Sequence, residues 1–299
     1  MLNLYTFFHL NLAYSSLEEE KRAEVIKKCY WPLLRLARDP GAPLGIEASG
    51  YTLHAINRLD ADWVAELRKL ISAGKCEFVG SGYAQLIGPL VPAEVNAVNL
   101  KLGHQVYAEL LGQRPEIALV NEQAYASGLT RHYLDAGYKA IVMEWDNPAS
   151  KHREWSSDWR YYPQVACGQH GEEIPVIWNN SIAFQKFQRY AHGELSQTDY
   201  LNYLASHENG SLRCFLLYGN DVEIFDFRPG RYHTEARLSE LSEWQRIADL
   251  FTKLQADSRF ELVLPSRVLD LLDKPNAGNR LPQPEHLVNP PATQLLPLR

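Results

Sequence analysis

Along the chain, short apolar runs alternate with longer stretches in which apolar residues recur every three or four positions. Short runs bounded by glycine, proline or polar residues indicate buried strands, and the periodic stretches indicate amphipathic helices. The predicted strands are Leu2–Phe8, Pro43–Ala48, Cys76–Gly80, Ile117–Val120, Lys139–Glu144, Ile174–Trp178, Leu212–Tyr218 and Glu261–Leu264. The predicted helices are Leu17–Arg38, Asp60–Ala73, Pro92–Leu111, Gly128–Ala136, Thr198–His207 and Thr234–Leu254. Residues 146–172 form an irregular stretch rich in Trp and Tyr.

Strands that alternate with helices in this way predict a parallel sheet covered by helices. Seven or eight strands favour a closed or nearly closed α/β barrel, and 299 residues suit one such barrel as well as two smaller domains. Pro32 is expected to kink or split the first helix. We assign residues 1–274 to the barrel. Residues 275–299 hold six of the seventeen prolines and are predicted to be a Pro-rich tail or linker.

Composition narrows the class of partner. Hydrophobic residues make up 45% of the chain and charged residues 22%, which is typical of a globular protein. The net charge is −6 and no basic run occurs, so nucleic acid and anionic membrane are not expected as partners. The N-terminal sequence lacks a charged segment typical of a secretory signal, and we expect a cytoplasmic protein without membrane spans.

Several common motifs are missing. The sequence GSGYAQ at 80–85 lacks the third glycine of a dinucleotide fingerprint, and no phosphate-binding loop, serine elbow or HExxH zinc motif occurs. No two of the ten histidines are four residues apart, so the HxxxH pair of a metal-dependent barrel deacetylase is missing. These absences favour chemistry on carboxylates, and we expect no metal and no organic cofactor.

Two apolar strands end in acidic residues. The segment EIALVNEQAY at 116–125 brings Glu122 to a strand end, and LRCFLLYGNDVEIF at 212–225 brings Asp221 and Glu223. In α/β barrels the chemistry lies at the carboxyl ends of the strands. Taken alone, each acid could also be a helix-terminal charge, a turn residue or a salt-bridge partner. Together they match glycoside hydrolysis, which needs one ionised and one protonated carboxyl group.

These segments resemble glycoside hydrolase family 57, a family of retaining enzymes that act on α-glycans. NEQAY with LDAGYKAIVMEW is similar to its nucleophile motif, and DVEIF followed by Pro229 and Gly230 is similar to its general-acid motif. GKCEFVGSGYAQLIGPLVPAE at 74–94 and TFFHLNLAYS at 6–15 resemble its second and first motifs. The resemblance covers roughly residues 2–272 and implies an incomplete (β/α)₇ barrel of the type shared by glycoside hydrolases and deacetylases.

The resemblance also implies roles for individual residues. Glu122 falls on the nucleophile, Asp221 on the general acid and base, and Glu223 on a supporting carboxylate. The other residues expected to bind substrate are His9, Asn11, Tyr83, Gln85, Trp145, Asp146 and Arg228. Other interpretations stay open: His9 as a core histidine, Trp145 as a core or lid residue, and Arg228 as a surface ion pair.

This chain departs from the family pattern near the expected sugar site. Asn11 stands where the first motif carries a second histidine, and Gln85 stands where some members have Glu or His. We expect a retaining α-glycosidase or transglycosidase, similar to an α-amylase, α-galactosidase or glucanotransferase, acting on an α-linked oligo- or polysaccharide. The alternatives are a catalytically silent barrel that binds glycan or a partner protein, and a polysaccharide deacetylase. Sugar, linkage, acceptor and oligomeric state stay open.

Overall fold

The computed structural model describes residues 1–14, 17–227 and 241–281. Its strands are Leu2–Thr6 (β1), Phe8–Leu10 (β2), Leu44–Ala48 (β3), Cys76–Val79 (β4), Ile117–Leu119 (β5), Ala140–Glu144 (β6), Gln164–Cys167 (β7), Glu173–Asn179 (β8), Arg213–Tyr218 (β9) and Phe260–Leu262 (β10). Its α-helices are Arg22–Val25 (α1), Trp31–Arg38 (α2), Gly50–Leu59 (α3), Ala61–Ser72 (α4), Ala93–Leu111 (α5), Leu129–Ala136 (α6), Asp146–Lys151 (α7), Ser181–Ala191 (α8), Gln197–Ala205 (α9) and Glu243–Ala256 (α10).

The strands form an incomplete (β/α)₇ barrel, as predicted. β1 pairs with β9 and β10, and β2, which follows β1 after Phe7, pairs with β3. The parallel order then runs through β4, β5 and β6 to β8, with a bridge between Gly80 and Ala118 joining β4 to β5. Strands β3 and β9 are wholly buried, as expected for a parallel sheet covered by helices.

The barrel remains open between β8 and β9. Among the described residues no ladder joins these two strands, and β8 pairs instead with the antiparallel strand β7. At their carboxyl ends the amide of Asn179 donates a hydrogen bond to the carbonyl oxygen of Gly219 at 3.0 Å. The Asn179 side chain therefore links the ends of β8 and β9, whereas backbone hydrogen bonds link the other neighbouring strands of the barrel.

The first residues of the predicted tail are docked on the barrel. The amide of Val165 in β7 donates to the carbonyl of Asn279 at 3.0 Å, and the amide of Leu281 donates to Val165 at 2.8 Å. Leu281 also packs into a hydrophobic cluster beneath β5, β6 and β8. Residues 279–281 thus extend the sheet beyond β7. Residues 282–299 lie outside the described part of the chain.

Pro32 disturbs the first long helix, as predicted. A π-helical turn covers Ile26–Tyr30, and the amide of Trp31 bonds to the carbonyl of Ile26, five residues back. Proline has no amide hydrogen, so the helix cannot keep its regular bonding at this point. The change of helix type lies directly before the proline.

Four elements were not predicted: α3, α7, α8 and β7. Helices α3 and α8 start directly after a barrel strand, and each has a capping side chain: Ser49 accepts from Thr52 in α3, and Asn180 accepts from Ala183 in α8. Helix α7 and strand β7 lie in the stretch that was predicted to be irregular. The first seven residues of the predicted helix Thr234–Leu254 lie outside the described residues. In the described part of the chain, the helix α10 begins at Glu243 and ends at Ala256. No helix in the described ranges is both long and apolar enough to cross a membrane.

Candidate active site

A cavity of about 400 Å³ opens at the carboxyl ends of the barrel strands. The residues that line it come from the ends of several strands, so the fold gathers positions that are far apart in sequence. The cavity brings together five of the predicted site residues: His9, Asn11, Gln85, Glu122 and Asp221. This is the end of an α/β barrel at which active sites are built.

Glu122 is presented by a tight turn. The turn follows β5, and the side-chain amide of Asn121 anchors it by donating to the carbonyl of Ser81 at 2.9 Å. Glu122 and Gln123 have φ angles of 52° and 54°, in the left-handed region that residues other than glycine rarely adopt. The Glu122 side chain is exposed at the cavity, and its carboxylate has no hydrogen-bond or ion-pair partner among the described residues. An incoming group can therefore reach it.

Asp221 is held by its main chain. The segment after β9 runs alongside β2, where the amide of His9 donates to Asn220 at 3.1 Å and the amide of Val222 donates to His9 at 3.0 Å. The hydroxyl of Tyr218 donates to the carbonyl oxygen of Asp221 at 2.6 Å. The carboxylate, 18% exposed, lies 3.8 Å from Nε2 of His9. Asp221 is thus fixed in position with its carboxyl group at the cavity.

Glu223 lies buried behind Asp221. Its Oε1 accepts from the amide of Asn11 at 2.6 Å and from the hydroxyl of Tyr30. Burial and the charge of Asp221 raise the pKa of Glu223 to about 7, although the hydrogen bond from Tyr30 and the charge of His9 act in the opposite direction. Glu223 therefore holds its proton to higher pH than an exposed glutamic acid does.

His9 contacts a second buried carboxylate. Nδ1 of His9 bonds to Oε2 of Glu47, which is fully buried in β3. Burial alone would lower the pKa of His9, but the charges of Glu47, Asp221 and Glu223 outweigh it and raise this pKa to about 10. His9 is therefore an imidazolium at neutral pH, and it brings a positive charge beside Asp221.

The loop that carries Gln85 is hydrogen-bonded to helix α5. Asn99 donates to the carbonyl of Ala84 at 3.0 Å and accepts from its amide at 2.7 Å. Gly82 has a φ of +90°, and a Cβ there would lie 2.4 Å from the Asn99 amide. The glycines of GSGYAQ thus let the loop approach the helix closely. Nε2 of Gln85 lies 3.1 Å from both His9 Nε2 and Asn11 Oδ1.

Four further predicted site residues in the described part of the chain do not line this cavity: Tyr83, Trp145, Asp146 and the buried Glu223. Tyr83 packs its ring edge-on against Tyr51, with ring centroids 6.0 Å apart. Trp145 is only 5% exposed and packs against Trp178 in the second hydrophobic cluster. Asp146 accepts from the amide of Ile182 at 3.2 Å and so ties the start of α7 to α8. Its pKa is raised by burial and by its neighbour Glu144.

Arg228 lies outside the described residues.

Glu144 lines the cavity in a supporting role. Its carboxylate accepts from the amides of Asp146 at 2.8 Å and Asn147 at 2.7 Å, and from the Ser181 hydroxyl at 2.6 Å. These bonds join the loop after β6 to the loop after β8. Its oxygens are occupied by structural hydrogen bonds.

Sequence reasoning missed three residues that support the site: Tyr30, Glu47 and Asn99. Glu47 had a signal, because it is the one charged residue of a short strand that otherwise reads as buried, LGIEA at 44–48. Tyr30 and Asn99 had none, since each lies on a helix among residues typical of a helix. Within the described ranges, no group of three or more His, Cys, Asp or Glu side chains is arranged to hold a metal ion.

A family model described as glycosyl hydrolase family 57 matches residues 4–280. Alpha-amylase 1 of Dictyoglomus thermophilum is 23% identical over 206 residues, which are 69% of this chain and 29% of that protein. The chain therefore spans less than a third of the length of this relative.

Solved structures resemble the whole barrel. The crystal structure of 4-alpha-glucanotransferase from Thermococcus litoralis matches with a TM-score of 0.75 and 19% identity, over 94% of this chain and 42% of that one. A GH57-type branching enzyme from Pyrococcus horikoshii matches with a TM-score of 0.68 and 13% identity, over 94% of this chain and 72% of that one. At these identities the likeness shows a shared fold.

Proposed function

The chain belongs to glycosyl hydrolase family 57, as the motifs predicted, and from this membership we propose that it is a retaining glycosidase or transglycosidase of α-linked glycans. The relatives it resembles are named as an alpha-amylase, a 4-alpha-glucanotransferase and a GH57-type branching enzyme, and the first two names refer to α-linked glycans. An α-linked oligo- or polysaccharide is therefore the proposed substrate.

One observation carries the proposal: Glu122 and Asp221, from the ends of two different strands, line the same cavity. A retaining mechanism needs two carboxyl groups on either side of the scissile bond, one to attack and one to move a proton. Glu122 is exposed and unpaired among the described residues, which suits a nucleophile. Asp221 lies beside a cation and a second carboxyl group, which suits a group that must change its protonation state.

In the first proposed step, the Glu122 carboxylate attacks the anomeric carbon and forms a glycosyl ester. Asp221 donates its proton to the glycosidic oxygen as the bond to the leaving group breaks. In the second step, Asp221 takes a proton from water or from a sugar hydroxyl, and that oxygen attacks the anomeric carbon and releases Glu122. The configuration at this carbon is inverted twice and therefore retained.

The test is turnover of aryl α-glycosides and α-linked oligosaccharides by the purified protein, with the product anomer followed by NMR. Glu122→Gln keeps the shape of the side chain but cannot attack, so we expect a loss of the order of 10⁴-fold or more. The matched control is Glu116→Gln, because Glu116 is exposed at the opposite end of β5 and pairs with Lys139. It should behave as wild type.

Product of inverted configuration would contradict the retaining mechanism. Near-normal turnover by a folded Glu122→Gln variant would remove Glu122 from the chemistry. Binding of glycans without any turnover by the wild-type protein would favour the silent glycan-binding barrel instead.

A further inference from the structure

The side chain of Asn179 lies at the opening of the barrel between β8 and β9, which we call the seam. Its NH₂ group donates to the carbonyl oxygen of Gly219 at 3.0 Å, two residues before Asp221. We infer that Asn179 is a positioning residue, which holds the backbone of Asp221 across the seam so that the carboxyl group can deliver its proton. This role rests on the proposed function, because it gives Asn179 a part in the acid step of that reaction.

The segment after β9 is held on one side by backbone hydrogen bonds. The amide of His9 in β2 donates to the carbonyl of Asn220 at 3.1 Å, and the amide of Val222 donates to the carbonyl of His9 at 3.0 Å. These bonds form a short parallel bridge between His9 and Asp221. On the other side, the described part of the chain has no ladder between β8 and β9, so the segment has no matching support from the backbone of β8.

Asn179 is itself fixed at the end of β8. It is the last residue of that strand, its carbonyl accepts from the amide of Trp145 at 2.9 Å, and it pairs with Glu144 at the end of β6. Its Oδ1 accepts from the amide of Asn180 at 2.9 Å, and the residue is only 6% exposed. A carbonyl oxygen only accepts and a backbone amide only donates, so the contacts with Gly219 and Asn180 together define the orientation of the side-chain amide.

Gly219 allows the close approach of the two sides of the seam. A Cβ at this position would lie 2.2 Å from Oδ1 and 2.9 Å from Cγ of Asn179, so the amide group lies directly against the glycine backbone. The Gly219 carbonyl belongs to the peptide group shared with Asn220, and Asp221 follows directly. A displacement of this peptide group therefore moves the backbone from which the Asp221 carboxyl group projects. A shift of about 1 Å in a reacting group can cost about 100-fold in rate.

The first experiment compares aryl α-glycosides that share one sugar and differ only in the acidity of the phenol that leaves. Aryl α-maltosides and aryl α-galactosides are both tried, and the series that the wild type turns over is used. In Asn179→Ala, kcat/KM should fall about 10- to 100-fold for the phenyl glycoside, which needs the proton, and less than about threefold for the dinitrophenyl glycoside, which needs little protonation. The plot of log kcat/KM against the pKa of the leaving phenol should therefore become steeper.

Asn180→Ala is the matched control. This neighbouring asparagine is similarly buried, and its side chain bonds to the amide of Ala183 and to Asp146 instead of to the segment after β9. The control should lower the thermal midpoint of unfolding and keep the wild-type slope. A parallel downward shift of the whole Asn179→Ala line would overturn the inference, because it would mean that Asn179 contacts the sugar or supports the fold in general. An unchanged line would overturn it as well.

The second experiment perturbs the same contact from the other side of the seam. The methyl group of Gly219→Ala should displace the Asn179 amide, because there is no room between them, and the slope should become steeper as in Asn179→Ala. In the double variant the methyl group meets no amide, so the loss should be no larger than that of Asn179→Ala alone. Losses that multiply in the double variant would contradict a shared contact. If Asn179→Ala does not fold, the slope of Gly219→Ala decides the question.

Hydrogen exchange without sugar separates the role of Asn179 from the proposed function. Peptides that cover residues 219–222 should exchange about tenfold faster in Asn179→Ala than in the wild type, whereas Asn180→Ala should leave their exchange unchanged. If no aryl α-glycoside is turned over, the proposed function fails, and faster exchange would still support Asn179 as the residue that holds this segment. Exchange at the wild-type rate in Asn179→Ala would overturn the inference, whether or not the protein turns over glycosides.

Discussion

The two carboxyl groups proposed to carry the reaction, those of Asp221 and Glu122, are held in position by different interactions. Asp221 is surrounded by charge: the His9 ring lies 3.8 Å away, and the buried Glu223 follows two residues later. Glu122 is positioned by the backbone instead, on a turn with two residues in the left-handed conformation. Its own carboxylate has no hydrogen-bond or ion-pair partner among the described residues. One side of the cavity is arranged by electrostatics and the other by chain conformation.

The difference matches what each group has to do. An acid and base must gain and lose a proton during one cycle, so its neighbours have to balance the two states. A nucleophile must stay ionised and reachable, which a turn that projects the side chain away from the protein achieves without partners. If this comparison holds, charge-removing substitutions should act on the Asp221 side, and backbone substitutions should act on the Glu122 side.

On the Asp221 side, the largest expected effect is that of Asp221→Asn. On an unactivated oligosaccharide we expect a loss of about 10²–10⁴-fold, the usual contribution of general acid catalysis. An aryl glycoside with a good leaving group needs little protonation and should lose less. The measurement is kcat/KM on both substrates across pH, where the alkaline limb on the oligosaccharide should vanish. Asp249→Asn on the exposed face of α10 serves as the control. Equal losses on both substrates would mean that Asp221 only positions the substrate.

The second effect concerns stability and pH. The pKa of Glu223 is raised from near 4.5 to about 7, so its protonated form is favoured in the folded state. This contribution is fully present below pH 4.5 and is lost as pH rises through 7. It corresponds to about 3 kcal/mol of unfolding free energy. Glu223→Gln, which still accepts from Tyr30 and Asn11, should remove this loss.

Urea unfolding at pH 5 and pH 8 checks the second prediction. Glu116→Gln at the protein surface should keep the pH dependence of the wild type. If Glu223→Gln shows the same drop in stability between the two pH values as wild type, then Glu223 is not the proton-binding group.

The smallest effect tests the backbone side. A left-handed conformation costs a residue with a side chain about 1 kcal/mol, and glycine avoids that cost. Gln123→Gly should therefore stabilise the fold by up to about 1 kcal/mol. Ala124→Gly, at the neighbouring residue with an ordinary φ of −89°, should destabilise by about 0.5–1 kcal/mol. Urea unfolding of both variants provides the comparison, and destabilisation of equal size in both would show that the turn stores no strain.

Sequence alone could predict the barrel and both carboxylates, because these depend on local signals. An apolar strand followed by an acid places Glu122 and Asp221 at the same end of the barrel once the strands are parallel. The partners of those acids could not be predicted. Glu47 contacts His9 across 38 residues of sequence and Tyr30 contacts Glu223 across 193, so these pairings depend on the folded sheet rather than on any local spacing.

The conformation of the turn at Glu122 was also hidden, because neither Glu nor Gln signals a positive φ as Gly or Asn would. Likewise Trp145 follows a strand as a ligand-stacking residue could, yet the structure packs it against Trp178. Position along the chain predicted the end of the barrel on which these residues lie, and the direction of each side chain followed only from three-dimensional packing.

The docking of residues 279–281 on β7 has a consequence for the exposed edges of the sheet. A barrel that stops short of closure leaves strand edges whose free backbone groups can recruit another chain. Here β7 covers part of the edge of β8, and residues 279–281 in turn cover β7 through Val165. A chain cut after residue 274 would uncover that edge, together with the site that Leu281 fills. Residues 279–281 thus occupy backbone groups of β7 that another strand could otherwise pair with.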